Sequence, residues 1–184
     1  MAAILTLDEI KQQCRIEPDQ TEEDDLLQQM EAAAMRACED KIGGPLLYTP
    51  RQLVLGRWPL QGFLLLPTPN AFQVDRVEVL QQGVMQEWTG WSARAEPEGN
   101  ALYLYCRQAW PLVDQDSDAI RIRYQAGLAA SGENVPEAVR QWLRFRVATY
   151  YQYREQFVSG SVANLGTTLV DSLLHAYQFQ EVVI

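Results

Sequence analysis

The sequence predicts an α+β protein: a helical bundle of two N-terminal helices, a long C-terminal helix and a short last helix, with an antiparallel β unit inserted between its halves. Three observations predict it. Both ends of the chain carry apolar residues at helical spacing. The middle breaks into short segments rich in β-branched and aromatic residues, divided by turn signals. Finally, 184 residues with 47% hydrophobic and 21% charged content suit one folded domain carrying an insertion. The expected organisation is helical over 1–47, β over 48–127 and helical over 128–177, with an extended tail over 178–184.

The first helix is announced by "TLDEI", where Thr6 as N-cap and Glu9 three residues on form a capping box. Leu7, Ile10 and Cys14 give it a short apolar face, and Pro18 interrupts by excluding Glu17 from helical geometry. The second helix is expected from about Thr21, with Glu22, Glu23, Asp24 and Asp25 complementing its N-terminal dipole. Its expected buried stripe is Leu26, Leu27, Met30, Ala33, Ala34, Ala37, Cys38 and Ile42, ended by Gly43-Gly44-Pro45. The alanines permit close approach by a bulky partner.

The inserted unit reads as "RQLVLG", "GFLLLP", "VDRVEVL", "GVMQEW", "WSARAE", "ALYLYC" and "AIRIRYQAG". In the last of these, Arg121, Arg123 and Gln125 alternate with Ile120, Ile122 and Tyr124, the period of a half-buried strand. Trp58-Pro59 and Trp110-Pro111 stand beside turn signals and are expected to plug this unit. "VPEAVRQWLRFRVATYYQYREQF", residues 135–157, reads as the long helix, with Pro136 in its first turn and Glu137 on its dipole. Val139, Trp142, Leu143, Val147, Tyr150 and Tyr151 form its apolar face, expected to lie on the second helix. A last short helix through Leu173, Leu174 and Tyr177 precedes "QFQEVVI", which has strand-like composition and no turn to fold it back.

Charge is distributed unevenly. Residues 1–40 hold eleven acids and three bases, whereas residues 41–184 hold thirteen acids and twelve bases. Thirteen of the fifteen bases are arginines, which favour planar, bidentate contacts. An acidic head followed by an arginine-dotted remainder reads as complementary protein surfaces rather than a nucleic-acid clamp. Arg140 and Arg144 project together from one flank of the long helix, and Arg154 falls near its buried side. A buried arginine there needs a carboxylate or carbonyl. The partner lies either within the chain or in the acidic N-terminal region of another copy, and the sequence weighs these equally.

Catalytic signals are absent from the reading. The lone His175 has no neighbouring cysteines or paired acids, and no phosphate-binding loop, dinucleotide fingerprint or zinc motif occurs. "DQDSD" at 114–118 lacks the glycine and closing glutamate of a calcium loop, so it reads as a solvated tip. Three dispersed cysteines read as reduced, structural thiols. No cofactor, no metal, no membrane span and no secretory signal are expected.

The order of these features resembles the head–tail connector proteins of long-tailed phages (adaptor or head-completion proteins), a family also described as possible DNA-packaging proteins. The opening through "CRIE", the acidic Glu23–Asp25, the alanine-rich helix and "GGPL" are similar to that family's start. "LLLPTPNAFQVDRVEVL" resembles its "LP…P…V..V" strands, Trp110-Pro111 and "IRIRYQAGL" its "WP" and "V.Y.AG" segments, "VPEAVRQWLRFRVATYYQYRE" its long helix, and Leu173-Leu174…Tyr177 its closing "LL..Y". Three departures are that Gly43-Gly44-Pro45-Leu46 replaces the usual "GR.L", that the closing motif is not followed by arginine, and that seven residues follow Tyr177.

The resemblance implies a structural, non-enzymatic adaptor in the virion neck, assembled in the host cytoplasm. It implies a homo-oligomeric ring, expected to hold twelve copies, that sits below the portal protein and carries the tail or a stopper. DNA would pass through without sequence-specific binding. Closing a ring requires two different complementary faces per subunit, each burying roughly 800 Å² if stable. The candidate halves are Glu22, Glu23, Asp24 and Asp25 on one side and Arg140, Arg144 and Arg154 on the other. Gln178, Phe179, Gln180, Glu181, Val182, Val183 and Ile184 are the candidate portal-binding tail, by strand addition or wedging. Alternatives are a stopper-like tail-completion protein, disfavoured by the long helices, and, remotely, a small enzyme with an unrecognised site.

Overall fold

The computed structural model describes residues 3–96, 100–153 and 167–178. The expected α+β class holds, and the chain divides into a helical unit (Met1–Ile42 with Leu128–Gln178) and a β unit (Gly43–Gly127).

In the helical unit, α1 spans Leu7–Cys14 and begins with the expected capping box: Thr6 Oγ1 accepts from Glu9 N, and Glu9 Oε2 accepts from Thr6 N. It ends at Arg15, whose left-handed φ of 59° lets its N–H close on Gln12 and Lys11. The long α2 runs Asp24–Ile42, starting after a turn at residues 22–23 rather than at Thr21. A 3₁₀ turn, Gly132–Asn134, leads into α3, Glu137–Gln152, and α4, Thr167–Asp171, passes into a second 3₁₀ turn, Ser172–Tyr177. α3 packs on both α1 and α2, and the Ser172–Tyr177 turn closes over α3 and α2. Trp142, Leu143, Val139 and Val147 of α3 are buried with Leu27, Ala34, Met35, Cys38 and Ile42 of α2 and with Leu174. Tyr150 and Tyr151, expected on the same face, are only half-buried.

The stripe of α2 differs from expectation: Met35 is buried as well, and Leu26, Met30 and Ala37 are only half-buried. Ala33 is exposed, and Glu31 is buried in its place. An alanine run offers several equivalent helical phases, so periodicity alone does not select one. A carboxylate with buried donors to satisfy does.

The β unit contains seven strands among its described residues: β1 Thr49–Leu55, β2 Phe63–Leu65, β3 Ala71–Gln81, β4 Val84–Glu87, β5 Trp91–Ala95, β6 Leu102–Cys106 and β7 Ile120–Ala126. They form two antiparallel sheets, ordered β1-β7-β3-β4 and β2-β6-β5. On β7, Ile120, Ile122, Tyr124 and Ala126 are buried. They join Val74 and Val77 of β3 and Leu102 and Leu104 of β6 in one core. Trp58 stacks on Trp110 with ring centres 4.4 Å apart, and Trp88 tilts against both, so these rings do plug the unit.

The β unit begins at Gly43. Gly43 leaves α2 with φ +83°, and a Cβ on Gly44 would stand 2.8 Å from Pro69. Leu47 in turn lies against Gly127, where a side chain would meet its carbonyl at 2.7 Å. Residues 43–47 are thereby built into the β unit.

Candidate subunit-assembly surfaces

The arginines of α3 find partners inside the chain. Arg140 Nη1 donates to the carbonyls of Ile4 (2.7 Å) and Gly132 (2.9 Å), and its Nη2 to Glu9 Oε1 (2.5 Å). Arg144 Nη2 donates to the same Glu9 oxygen at 2.7 Å, while its Nη1 reaches Glu137 and Gln141. Both guanidiniums are largely buried. Burial alone would raise the Glu9 carboxyl; the Thr6 backbone N–H and the Arg144 and Arg140 side chains outweigh it and bring the pKa down to about 2. These contacts remove the reason for assigning Arg140 and Arg144 a carboxylate in another copy. Arg154 lies outside the described residues.

Arg146 is held as well. Its guanidinium lies 4.8 Å over the Trp142 ring and 3.8 Å from Asp171. Asp171 also accepts from Trp142 Nε1 (2.9 Å) and pairs with Lys41 at 2.7 Å. Burial opposes ionisation of Asp171, and the Lys41 and Trp142 hydrogen bonds override it, so its pKa is lowered. This cluster ties α4 onto α2 and α3.

Of the four acids at the start of α2, two are committed internally. Glu23 accepts from Tyr151 Oη at 2.7 Å, and Asp24 pairs at 2.7 Å with Lys11, a buried lysine that also donates to Pro18 O. Glu22 and Asp25 are exposed and have no ion-pair partner among the described residues. Sequence reasoning missed Glu31, whose Oε1 accepts from the backbone N–H of both Ile4 (2.8 Å) and Leu5 (2.7 Å). Its one signal was position: Glu31 stands four residues after Leu27 on a helix, inside the apolar stripe. Gln178 donates to Lys41 O at 3.3 Å, and Phe179–Ile184 lie outside the described residues.

The β unit exposes a different set of cations. On the outward face of its four-stranded sheet, Arg76 and Arg123 pair with Glu78, and Arg76 also with Glu87. Arg51, Arg57 and Arg107 are exposed without an ion-pair partner among the described residues. Arg57 precedes Trp58, and Arg107 donates its N–H to Gly90 O at 2.9 Å, so both belong to the end that holds the tryptophan stack. Leu60 (106% exposed) and Leu112 (90%) protrude from loops of the same end. A cleft of about 440 Å³ beside Leu112 is lined by Gln81, Gln82, Gln86, Val113 and Asp114. Among the described residues no cluster of His, Cys, Asp and Glu is arranged to hold a metal, and no helix is long and apolar enough to cross a membrane.

Residues 4–74 match the model of the phage gp6-like head–tail connector protein family. No curated protein matches the chain. Among solved structures, a chain from the neck of an empty gene transfer agent particle, computed with C6 symmetry, superposes with a TM-score of 0.76 at 22% identity, over 98% of this chain and 92% of that one. A chain from the virion of a native gene transfer agent particle gives 0.76 at 20% identity with the same coverage. A chain from the native neck computed with C12 symmetry gives 0.68 at 18%, over 98% and 96%. Over residues 4–74 this chain thus carries the sequence pattern of the gp6-like phage head–tail connectors, and over nearly its whole length the fold of chains from a gene transfer agent neck and virion.

Proposed function

We propose that this chain is a structural head–tail connector, an adaptor that forms a ring below the portal of a tailed phage or phage-like particle. The observation that carries this reading is the superposition of 98% of the chain on a chain from a particle neck, together with the connector-family pattern over residues 4–74. The symmetries of those necks support a ring here, and twelve copies is the number we propose. DNA passes through its centre, and the tail or a stopper builds on its lower face. The subunit's net charge of −9 suits a conduit. Each neutralised phosphate would add salt-dependent affinity and hinder sliding.

Of the acids and arginines at the expected subunit contact that lie among the described residues, Glu22 and Asp25 have no ion-pair partner and are free to serve it. The C-terminal residues from Gln178 to Ile184 are proposed to bind the portal. The test is to mix the purified protein with portal rings and image the product by electron microscopy. A second annulus coaxial with the portal is expected; an absence of any annulus at all ratios and salt concentrations overturns the reading.

A further inference from the structure

Arg140, Arg144 and Arg146 of α3 are held within the chain, so a ring contact would draw its second half from other cations. We propose that the loop end of the β unit, with Arg57 and Arg107 beside exposed Leu60 and Leu112, receives the acidic α1–α2 turn of a second copy of this chain. This inference rests on the connector reading and names the surfaces that reading requires.

Charge complementarity selects the occupant. Around the α1–α2 turn, Glu17, Asp19, Glu22 and Asp25 are exposed and lack an ion-pair partner among the described residues, while Arg15 is the one exposed base beside them. Lys11, which could have neutralised them, is buried under the turn against Asp24 and Pro18 O. The helical unit cannot answer these charges with its long-helix cations, because Arg140, Arg144 and Arg146 are held by Glu9, Glu137 and Asp171.

The β unit presents the opposite situation. The acids nearest its loop end are each held by donors of the same unit. Asp114 accepts from Gln82 N and Gly83 N, Asp116 from Asp118 N, and Asp118 from Ser117 Oγ, with Arg121 Nη2 3.9 Å away. Arg57 and Arg107 are left without a carboxylate. They border the Trp58–Trp110 stack, and Leu60 and Leu112 stand almost fully in solvent beside them. Tryptophan and arginine are enriched at protein-binding centres, and the exposed Leu60 and Leu112 add apolar surface beside them. Because the two surfaces differ, the contact is heterologous, the type that propagates around a ring.

The test uses the full chain and portal rings. One variant carries Arg57→Glu with Arg107→Glu, a second Glu22→Lys with Asp25→Lys, and a third carries all four. The first two place like charges together and are expected to weaken annulus formation by roughly tenfold or more. The third restores opposite charges and is expected to recover assembly. Recovery cannot occur if either pair of substitutions had simply unfolded the chain, so the four-fold variant separates misfolding from lost contact. Should wild type form the annulus and both charge-reversed variants form it equally well, the proposed surfaces are wrong and the connector reading stands. Weakened annuli that the four-fold variant fails to recover also overturn the pairing. Wild type forming no annulus overturns both readings.

Discussion

Glu9 keeps its charge where burial opposes it, because a backbone N–H and two guanidiniums converge on one carboxylate. Its folded pKa of about 2 lies below the ordinary 4.5. The stabilisation it provides is therefore fully present above pH 4.5 and is lost as pH falls toward 2. Glu9→Gln leaves Arg140 and Arg144 short of their shared acceptor, and we expect it to cost about 2–3 kcal/mol at neutral pH. Urea unfolding should show this loss, and between pH 4.5 and 2 the variant should lose less stability than wild type. Cys38 is the converse case. Burial, reinforced by neighbouring Glu39, pushes its thiol up to about 12, so native protein should leave it unlabelled by thiol reagents that modify it after denaturation.

Two elements depend on a distant carboxylate. The N-terminal segment at Ile4 and Leu5 pairs with no strand among the described residues; its N–H groups go to Glu31, its Ile4 carbonyl goes to Arg140, and its backbone lies against Gly132, where a Cβ would come within 2.5 Å of Ala3 O. Glu31→Ala orphans two buried donors and should cost about 2–4 kcal/mol, whereas Glu31→Gln keeps an acceptor and should cost clearly less. Chemical denaturation of the pair distinguishes a hydrogen-bond role from mere side-chain volume. The β3–β4 hairpin turns through Gln82 and Gly83, both at positive φ (54° and 74°), a conformation that ordinarily favours Asn-Gly. Asp114 supports the turn by accepting both N–H groups. Gln82→Asn should therefore raise stability by about 0.5 kcal/mol, and Asp114→Ala should lower it by about 1–2 kcal/mol, both readable as thermal shifts.

For the whole molecule, the proposed assembly depends on surfaces that the fold leaves unsatisfied. Internal ion pairs absorb Arg140, Arg144 and Arg146 of α3, so the proposed ring contact draws on other charges, and assembly driven by exposed pairs should weaken as salt rises from 50 to 500 mM, on the order of several-fold. Analytical ultracentrifugation or imaging on portal rings would measure it. We propose that removal of residues 178–184 reduces binding to portal rings, measured by co-sedimentation. Undiminished binding by the truncated chain would reject the tail's role.

Local chemistry was enough to determine the capping box of Thr6 and Glu9, the seven strand segments with their inward Ile120, Ile122 and Tyr124, the buried face of α3 around Trp142, and the connector pattern. Each of these rests on interactions between residues a few positions apart, or on a periodicity that hydrophobic burial imposes. Only the tertiary structure decided that Arg140 and Arg144 meet Glu9, 131 and 135 residues away, and that Glu31 rather than Ala33 faces inward. It likewise decided that Asp114 serves a turn 31 residues before it. The physical reason is common to all three. A charged or polar side chain takes whichever donor or acceptor the fold carries to it, and that choice leaves no trace in the spacing of its neighbours.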